Sequence, residues 1–218
     1  MFNTNLFKDS KAHKILKKIG NYSVLEYEKE LSVKPEMAMK AYYASMMNVR
    51  KRQVIIELED EGCIVQAGSV QLWLGDVEAS SNVKSAGDFV GKLFSSKITG
   101  ESVVKPLYKG TGILVLEPTF NHIIFQDLAD WNGGIVIEDG MFIASDDSVE
   151  MKMVTRNTVS SALLGNEGFF NTSLEGEGIV ALESPVPIDE LIVIDLKEDT
   201  LKIDGNLAIA WSKDLKFT

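Results

Sequence analysis

The stretch TGESVVKPLYKGTGILVLEP, from Thr99 to Pro118, returns 66 residues later as GNEGFFNTSLEGEGIVALES, from Gly165 to Ser184, without a gap. Six of the twenty positions are identical, against about one expected from ordinary residue frequencies. The identical residues are Glu101, Gly110, Gly112, Ile113, Leu116 and Glu117 in the first copy and Glu167, Gly176, Gly178, Ile179, Leu182 and Glu183 in the second. Such a repeat indicates a fold built from similar supersecondary units.

Short apolar runs separated by Gly, Asp and Asn surround the repeat. Their regular spacing, without long helical patterns between them, predicts a mainly all-β fold, either a barrel, a sandwich or a β-helix-like stack. The runs are VIIEL (54–58), CIVQAGSVQLWL (63–74), SVVKPLY (102–108), GILVLEP (112–118), HIIFQDL (122–128), GIVIEDGMFIAS (134–145), VEMKMVT (149–155), GIVALE (178–183), ELIVIDL (190–196) and NLAIAWS (206–212).

The repeat also has a finer structure. IIFQDL (123–128) is echoed by LIVIDL (191–196) at an offset of 68, and the offset then returns to 66, which predicts a small insertion near residues 130–134. Half-units are therefore expected near residues 53–75, 99–128, 134–155, 165–196 and 203–218. Because the last half has no partner after it, we expect the chain to lack one half-unit, with its last edge either covered by another subunit or left exposed as an aggregation hazard.

Charge is distributed unevenly over the 218 residues, whose net charge is −10. Residues 1–52 hold eleven Lys and Arg against five acids, whereas residues 53–218 hold eleven against twenty-seven. An acidic body repels phosphate backbones, so nucleic acid is a disfavoured partner. The sequence has no apolar run of eighteen residues, no secretory signal and one cysteine, Cys63, which predicts a soluble cytoplasmic protein.

The basic N-terminal end has helical spacing. FKDSKAHKILKKI (7–19) places Ala12, Ile15, Leu16 and Ile19 on one helical face. The lysines fall on the other face, namely Lys8, Lys11, Lys14, Lys17 and Lys18. We therefore expect a short amphipathic helical segment in residues 1–20, ahead of a repeated β domain in residues 21–218. Such a helix either contacts an anionic membrane or a partner, or packs on the β body with solvated lysines.

Four further segments complete the secondary-structure prediction. YSVLEYEKEL (22–31) partly alternates and predicts a strand. Residues 37–47 fit a helix through their Ala and Met and a half-buried strand through their paired tyrosines, so both remain open. GDFVGKLFS (87–95) and NTVSSALL (157–164) each suggest a helical turn.

No catalytic or metal-binding constellation is evident in the sequence. The pairs Gly110-Gly112 and Gly176-Gly178 precede apolar β runs rather than helices, so they indicate bulges or close backbone approach and not a dinucleotide site. For Glu101 and Glu167 we expect hydrogen bonding at turns. His122 is expected at a strand end and Cys63 in the core. Neither a cofactor nor a metal is predicted, and we expect a protein that is not an enzyme.

These patterns resemble one known family. The TGE…GxG…L pattern at 99–116 and its echo at 165–182, with LEGEG (174–178), ESPVP (183–187) and IDGNLAIAW (203–211), look like the altered-inheritance-of-mitochondria protein 24 family, in a bacterial-type member. The resemblance covers about residues 50 to 218. It implies duplicated units similar to the tryptophan RNA-binding attenuation protein (TRAP-like, double-stranded β-helix-like), often assembled as oligomers. It also implies, from mitochondrial members, a link to inner-membrane organisation.

Two functional hypotheses follow. The first is a non-enzymatic homo-oligomeric scaffold that organises partners at or near a membrane, with peripheral contact through the N-terminal segment. The second is a small-ligand binding module, or less plausibly an RNA-binding one, by analogy with the tryptophan-binding relative. The ligand, the partner and the oligomeric state are not encoded in any motif.

Overall fold

The computed structural model describes residues 3–29, 32–81, 105–155, 170–203 and 207–215. The fold is mainly β, as predicted, with one short α-helix among the described residues. Its elements are β1 (His13–Ile19), β2 (Tyr22–Tyr27), α1 (Ala38–Met46), β3 (Arg52–Val65), β4 (Val70–Ser81), β5 (Pro106–Leu116), β6 (His122–Asp127), β7 (Gly134–Ile137), β8 (Phe142–Asp146), β9 (Glu150–Thr155), β10 (Phe170–Glu175), β11 (Ile179–Ser184) and β12 (Ala210–Ser212). The expected turns at 87–95 and 157–164, with Glu101 and Glu167, lie outside the described residues.

Three long strands form a first unit. β5 lies between β3 and β4 and pairs antiparallel with both, from Ile55 opposite Val115 on one side and from Val70 opposite Leu116 on the other. β3 and β5 each continue without a break through residues that the sequence suggested as two separate runs, whereas the run predicted at 63–74 spans the end of β3 and the start of β4. The predicted runs at 112–118 and 102–108 thus belong to one strand, β5, where they are described.

A second unit repeats this arrangement with every strand divided in two. β11 pairs with β6 and β8, whereas β10 pairs with β7 and β9. Because β11 and β6 belong to one sheet and β10 and β7 to another, the second unit joins the two sheets. A 3-10 helix at Leu128–Trp131, followed by Asn132 in the left-handed conformation, separates β6 from β7. This 3-10 helix lies next to the place where the sequence predicted a small insertion, near residues 130–134, and the corresponding stretch of the next copy includes residues outside the described ranges.

β12 begins a third unit. It pairs with β7 through Ala210 opposite Ile137, in the same way that β8 pairs with β3 through Ala144 opposite Val65. Ala144 and Ala210 are 66 residues apart, so the repeat seen in the sequence is also a repeat of pairing. The strand predicted over residues 190–196 is wrong, because the chain there forms a 3-10 helix at Ile188–Glu190 and then no strand. No described strand supplies the backbone hydrogen bonds that a β ladder needs.

Both faces of the first sheet are covered. On one face Val24, Ile56 and Leu114 belong to one core cluster, and on the other Leu25, Ile55 and Val115 belong to a second cluster. A third cluster fills the second unit, with Leu128, Ile135, Ile137, Leu174 and Leu182 among its members. Fully burying one such side chain contributes about 1.5–3 kcal/mol, which explains the continuous apolar runs Val54–Ile56 of β3 and Ile113–Leu116 of β5.

The predicted N-terminal helix is wrong, because residues 13–19 form strand β1. β1 pairs antiparallel with β2, and its register shifts between Ile15 and Lys17, so that Leu16 is an extra residue. The shift sends Ile15 to the core cluster on one face of the sheet and Ile19 to the cluster on the other face. An apolar spacing of four residues therefore arises here from a bulged strand and not from a helix turn.

The open question over residues 37–47 is answered by a helix. Pro35 begins a 3-10 turn, Pro35–Met37, and α1 follows directly. Proline suits this position because its fixed φ favours the first helical turn and its missing N–H is not needed there. Pairing confirms the strand predicted after Gly20, over Tyr22–Tyr27.

Candidate functional site

α1 carries an apolar surface that is exposed among the described residues. None of its residues is buried, and Met39 is 74% exposed. The same surface includes other large exposed side chains, which are Met37, Tyr42, Tyr43, Met46, Met47 and Val49. An apolar patch of this density on a short helix is typical of a surface that meets a partner. Methionines are common on such surfaces because their side chains adapt to different shapes.

A groove runs between α1 and the neighbouring strands. Its volume is about 460 Å³, in the range of sites that hold a small molecule or a short peptide segment. The apolar walls are Val33, Met37, Ala41, Ala44, Val49 and Phe120. Four cations also line it, Lys29, Lys40, Arg50 and Lys51, against one acid, Glu28. We call this site the α1 groove.

A buried ion pair lies beside the α1 groove. Glu26 and Arg52 face each other on β2 and β3, and both Nε and Nη2 of Arg52 lie 2.9 Å from Oε2 of Glu26. Arg50 extends the network to Glu26, at 3.8 Å, and to Glu28. Hydrogen bonds from Lys14 and Arg50 lower the pKa of Glu28. Among the cations that line the groove, Arg50 is therefore held in place by Glu26 and Glu28.

The second apolar surface is formed by residues 188–203, which we call the unpaired segment. Ile192 is 87% exposed and Val193 is 83% exposed. The offset of 68 relates these residues to Ile124 and Phe125 of β6, which are 5% and 3% exposed. The segment holds five acids, Asp189, Glu190, Asp195, Glu198 and Asp199, against two lysines, Lys197 and Lys202. It is an acidic strand sequence that pairs with no strand among the described residues.

The paired glycines lie where backbones come close. A Cβ on Gly110 would collide with the carbonyl oxygen of Asp76, and one on Gly112 with that of Leu74, both on the neighbouring β4. Gly110 also has a φ of +136°, which side chains disfavour. In the second copy Gly176 and Gly178 form the bend between β10 and β11. In each unit the glycines thus allow the third strand to take its path, through close approach to β4 in the first unit and through a bend in the second.

Asp146 joins the units at this bend. Its carboxylate accepts a hydrogen bond from the Tyr22 hydroxyl at 2.9 Å and from the Ile179 backbone N–H at 2.7 Å. Burial, with Asp146 nearby, raises the pKa of both Tyr22 and Cys63, the latter to about 12. Cys63 is therefore a protonated core residue, as the sequence predicted. The sequence carries no signal for this linking role of Asp146.

The five N-terminal lysines do not form one stripe. Lys8, Lys11 and Lys17 are exposed, whereas Lys14 pairs with Glu28 and Lys18 with Glu57. His122 begins β6, as expected, and His13 begins β1. Within the described ranges no three His, Cys, Asp or Glu side chains converge to hold a metal ion. Searched over the same residues, no helix is long and apolar enough to cross a membrane.

Sequence reasoning missed the α1 groove. Its signal was the composition of MAMKAYYASMM, which has four methionines and two tyrosines among eleven residues. Periodicity did not reveal it, because the helix has no buried face to set an apolar stripe. The unpaired segment was found, but as an ordinary strand.

Comparison with known proteins places these features in a family. An uncharacterised protein of Streptococcus pyogenes serotype M6 is 30% identical over 172 residues, which are 75% of this chain and 67% of that protein. A crystal structure of another Streptococcus pyogenes protein shares 25% identity, with a TM-score of 0.46 over 64% of this chain, and the chain spans only 61% of that structure's length. The family model described as Mitochondrial biogenesis AIM24 matches residues 45–218. The chain belongs to the Mitochondrial biogenesis AIM24 family.

Proposed function

We propose that the protein is a non-enzymatic oligomeric scaffold that brings partners together at or near a membrane. The observation that carries the proposal is the exposure of Ile192 and Val193 at repeat positions that are buried in β6. Apolar side chains and unpaired backbone groups in such a segment favour association with another chain. A second copy of the protein is the partner that is always present.

The residues that a catalytic hypothesis would use have structural environments. The repeated glycines Gly110 and Gly112 admit a neighbouring backbone, and Asp146 accepts hydrogen bonds that join β2 to the β10–β11 bend. Cys63, with 1% of its surface exposed and a raised pKa, offers no thiolate at neutral pH. These environments support a role that rests on surfaces and not on a reacting group.

Mass in solution tests the scaffold proposal. Sedimentation equilibrium and light scattering over a wide protein concentration range should give one closed assembly of fixed stoichiometry. Its dissociation at low concentration should leave a folded protein with unchanged far-ultraviolet circular dichroism. A chain that stays monomeric at every concentration contradicts the proposal.

The membrane part of the proposal rests on the exposed lysines of the basic end. Each lysine near an anionic surface contributes about 1 kcal/mol to binding, and Lys8, Lys11 and Lys17 are exposed. Deleting residues 1–20 is a poor test, because it removes β1 from the sheet. Charge reversal at Lys8 and Lys17 should instead abolish pelleting with phosphatidylserine vesicles, whereas reversal at the exposed Lys109 and Lys202 should not. Equal pelleting of both variants contradicts membrane contact through this end.

A small-ligand binding module is the second candidate, favoured by the volume and apolar lining of the α1 groove. A ligand that binds the folded state raises the melting temperature by mass action. A thermal-shift panel of amino acids and other metabolites should then give a hit that the groove-filling variant Ala44→Trp loses. A panel without hits removes this candidate. RNA is disfavoured by the net charge of −10.

A further inference from the structure

We propose that the α1 groove of one copy binds the unpaired segment of a second copy, with Asp189–Leu196 in contact. The inference rests on the proposed oligomeric scaffold and names the two surfaces that join its subunits. It assigns one occupant to two exposed apolar regions that have no neighbour in the described chain.

The two surfaces match in apolar character. The segment presents Ile192, Val193 and Ile194, all exposed. The groove presents Val33, Met37, Ala41, Ala44 and Val49, with Phe120 at one side. Joining them removes both apolar patches from water at once, which is the main driving force for association between proteins. Flexible methionines on α1 allow the wall to adjust to branched side chains.

The two surfaces also match in charge. Four cations and one acid line the groove, and the unpaired segment carries five acids and two lysines. Lys29 and Lys40 are exposed and make no ion pair with another described residue. On the segment, Asp189, Glu190 and Asp195 are also exposed. A segment paired with its own copy would bring like charges together instead, which costs free energy. Charge therefore favours the groove over the segment itself as the binding surface.

The placement of both surfaces permits a reciprocal contact. Phe120 of the groove lies two residues before β6, and His122, the first residue of β6, pairs with Ser184 at the end of β11, four residues before the unpaired segment begins. The groove and the start of the segment thus share one side of the molecule. Two copies facing each other across a two-fold axis can insert both segments at once, and a closed pair is the commonest symmetric assembly.

A charge-reversal cycle tests the pairing. The groove variant carries Lys29→Glu and Lys40→Glu, and the segment variant carries Glu190→Lys and Asp195→Lys. Each alone should weaken self-association at least tenfold in sedimentation equilibrium, because like charges then meet in every contact. An equimolar mixture should regain the wild-type association constant, because both contacts of the mixed pair are again between opposite charges. Lys8→Glu with Lys17→Glu gives the same change of net charge as the groove variant and should leave association unchanged.

The outcomes separate this inference from the scaffold proposal. A monomeric wild type contradicts both. A wild-type oligomer whose mass and association constant are unchanged in both variants overturns only the groove-and-segment contact. If the double variants associate weakly but their mixture does not recover, the contact is not between these surfaces of two copies. A monomeric wild type whose pelleting with anionic vesicles requires Lys29 and Lys40 would show that the groove binds lipid and would also overturn the inference. Circular dichroism and thermal melts of each variant exclude unfolding as the cause.

Discussion

β6 and the unpaired segment have similar sequences and opposite environments. IIFQDL lies in β6 and the residue after it, where β11 pairs along the strand, whereas LIVIDL lies in residues 191–196 with no described strand beside it. Phe125 is 3% exposed and Val193, its counterpart, is 83% exposed. The difference shows that an apolar β sequence specifies a strand only where another strand supplies hydrogen bonds and a covered face. The repeat encodes the strand, and its neighbour decides whether the strand forms.

The largest expected effect comes from truncating the two counterparts. Phe125→Ala should lower the free energy of unfolding by about 3–5 kcal/mol, because the ring is buried in the first core cluster and packs against Tyr22. Val193→Ala should change it by less than about 0.5 kcal/mol in the dissociated protein. Urea denaturation at low protein concentration measures both. Similar losses in the two variants would show that residue 193 is buried within the single chain.

Substituting the paired glycines compares how closely strands approach each other in the first unit, whose strands are continuous, and in the second unit, whose strands are divided. Gly110→Ala should cost about 2–4 kcal/mol, because it combines a strained φ with a collision against β4. Gly176→Ala should cost less, about 1–2 kcal/mol, because its φ of +102° is unfavourable but the nearest atom to an added Cβ, Ser148 O, is 3.2 Å away, a tight contact and not a collision. Thermal melts of both variants give the order. An equal or reversed order would contradict closer strand approach in the first unit.

The hydrogen bond between Tyr22 of β2 and Asp146 of β8 joins the N-terminal strands to the second unit, and its loss should have a smaller effect on stability. Tyr22→Phe removes the hydroxyl that donates to Asp146 and should cost about 1.5–3 kcal/mol. Tyr108→Phe is the matched control, because that hydroxyl makes no hydrogen bond to another described residue, and it should cost less than about 0.5 kcal/mol. Denaturant midpoints distinguish them. Equal losses of stability in the two variants would mean that the hydrogen bond from the Tyr22 hydroxyl to Asp146 does not stabilise the fold.

The smallest effect is expected at Glu175 of β10, which contacts Lys152 of the second unit and Lys213 just after β12. Hydrogen bonds from Lys152 and Lys213 lower the pKa of Glu175 to about 2, from an ordinary value of 4.5. A carboxylate with a lowered pKa stabilises the fold above pH 4.5, and this stability is lost as the pH falls towards 2. Glu175→Gln should therefore remove up to about 1 kcal/mol at neutral pH and flatten the acid limb of the stability profile. The exposed Glu150→Gln should leave that limb unchanged.

The sequence predicted the repeat and the all-β class, because each depends on local residue patterns. It failed at residues 13–19, where the extra residue Leu16 shifts Ile15 and Ile19 onto opposite faces of the sheet and imitates helical spacing. It failed at 190–196, because strand propensity does not report the presence of a partner strand. The α1 groove was missed for a related reason, since its walls come from a helix, a strand end and Phe120, which are far apart in the chain.

The pairing of β12 with β7 has a consequence for how the chain is made. In the second and third units, the beginning of the second strand pairs with the first strand of the preceding unit: β8 pairs with β3, and β12 pairs with β7. During synthesis, the edge of β7 therefore stays open until about 75 further residues have been added and Ala210–Ser212 can reach it. Partly made chains expose such edges to one another on neighbouring ribosomes. Units that pair across their boundaries in this way therefore benefit from rapid completion of the chain, whereas a tandem array of self-contained repeats does not need it.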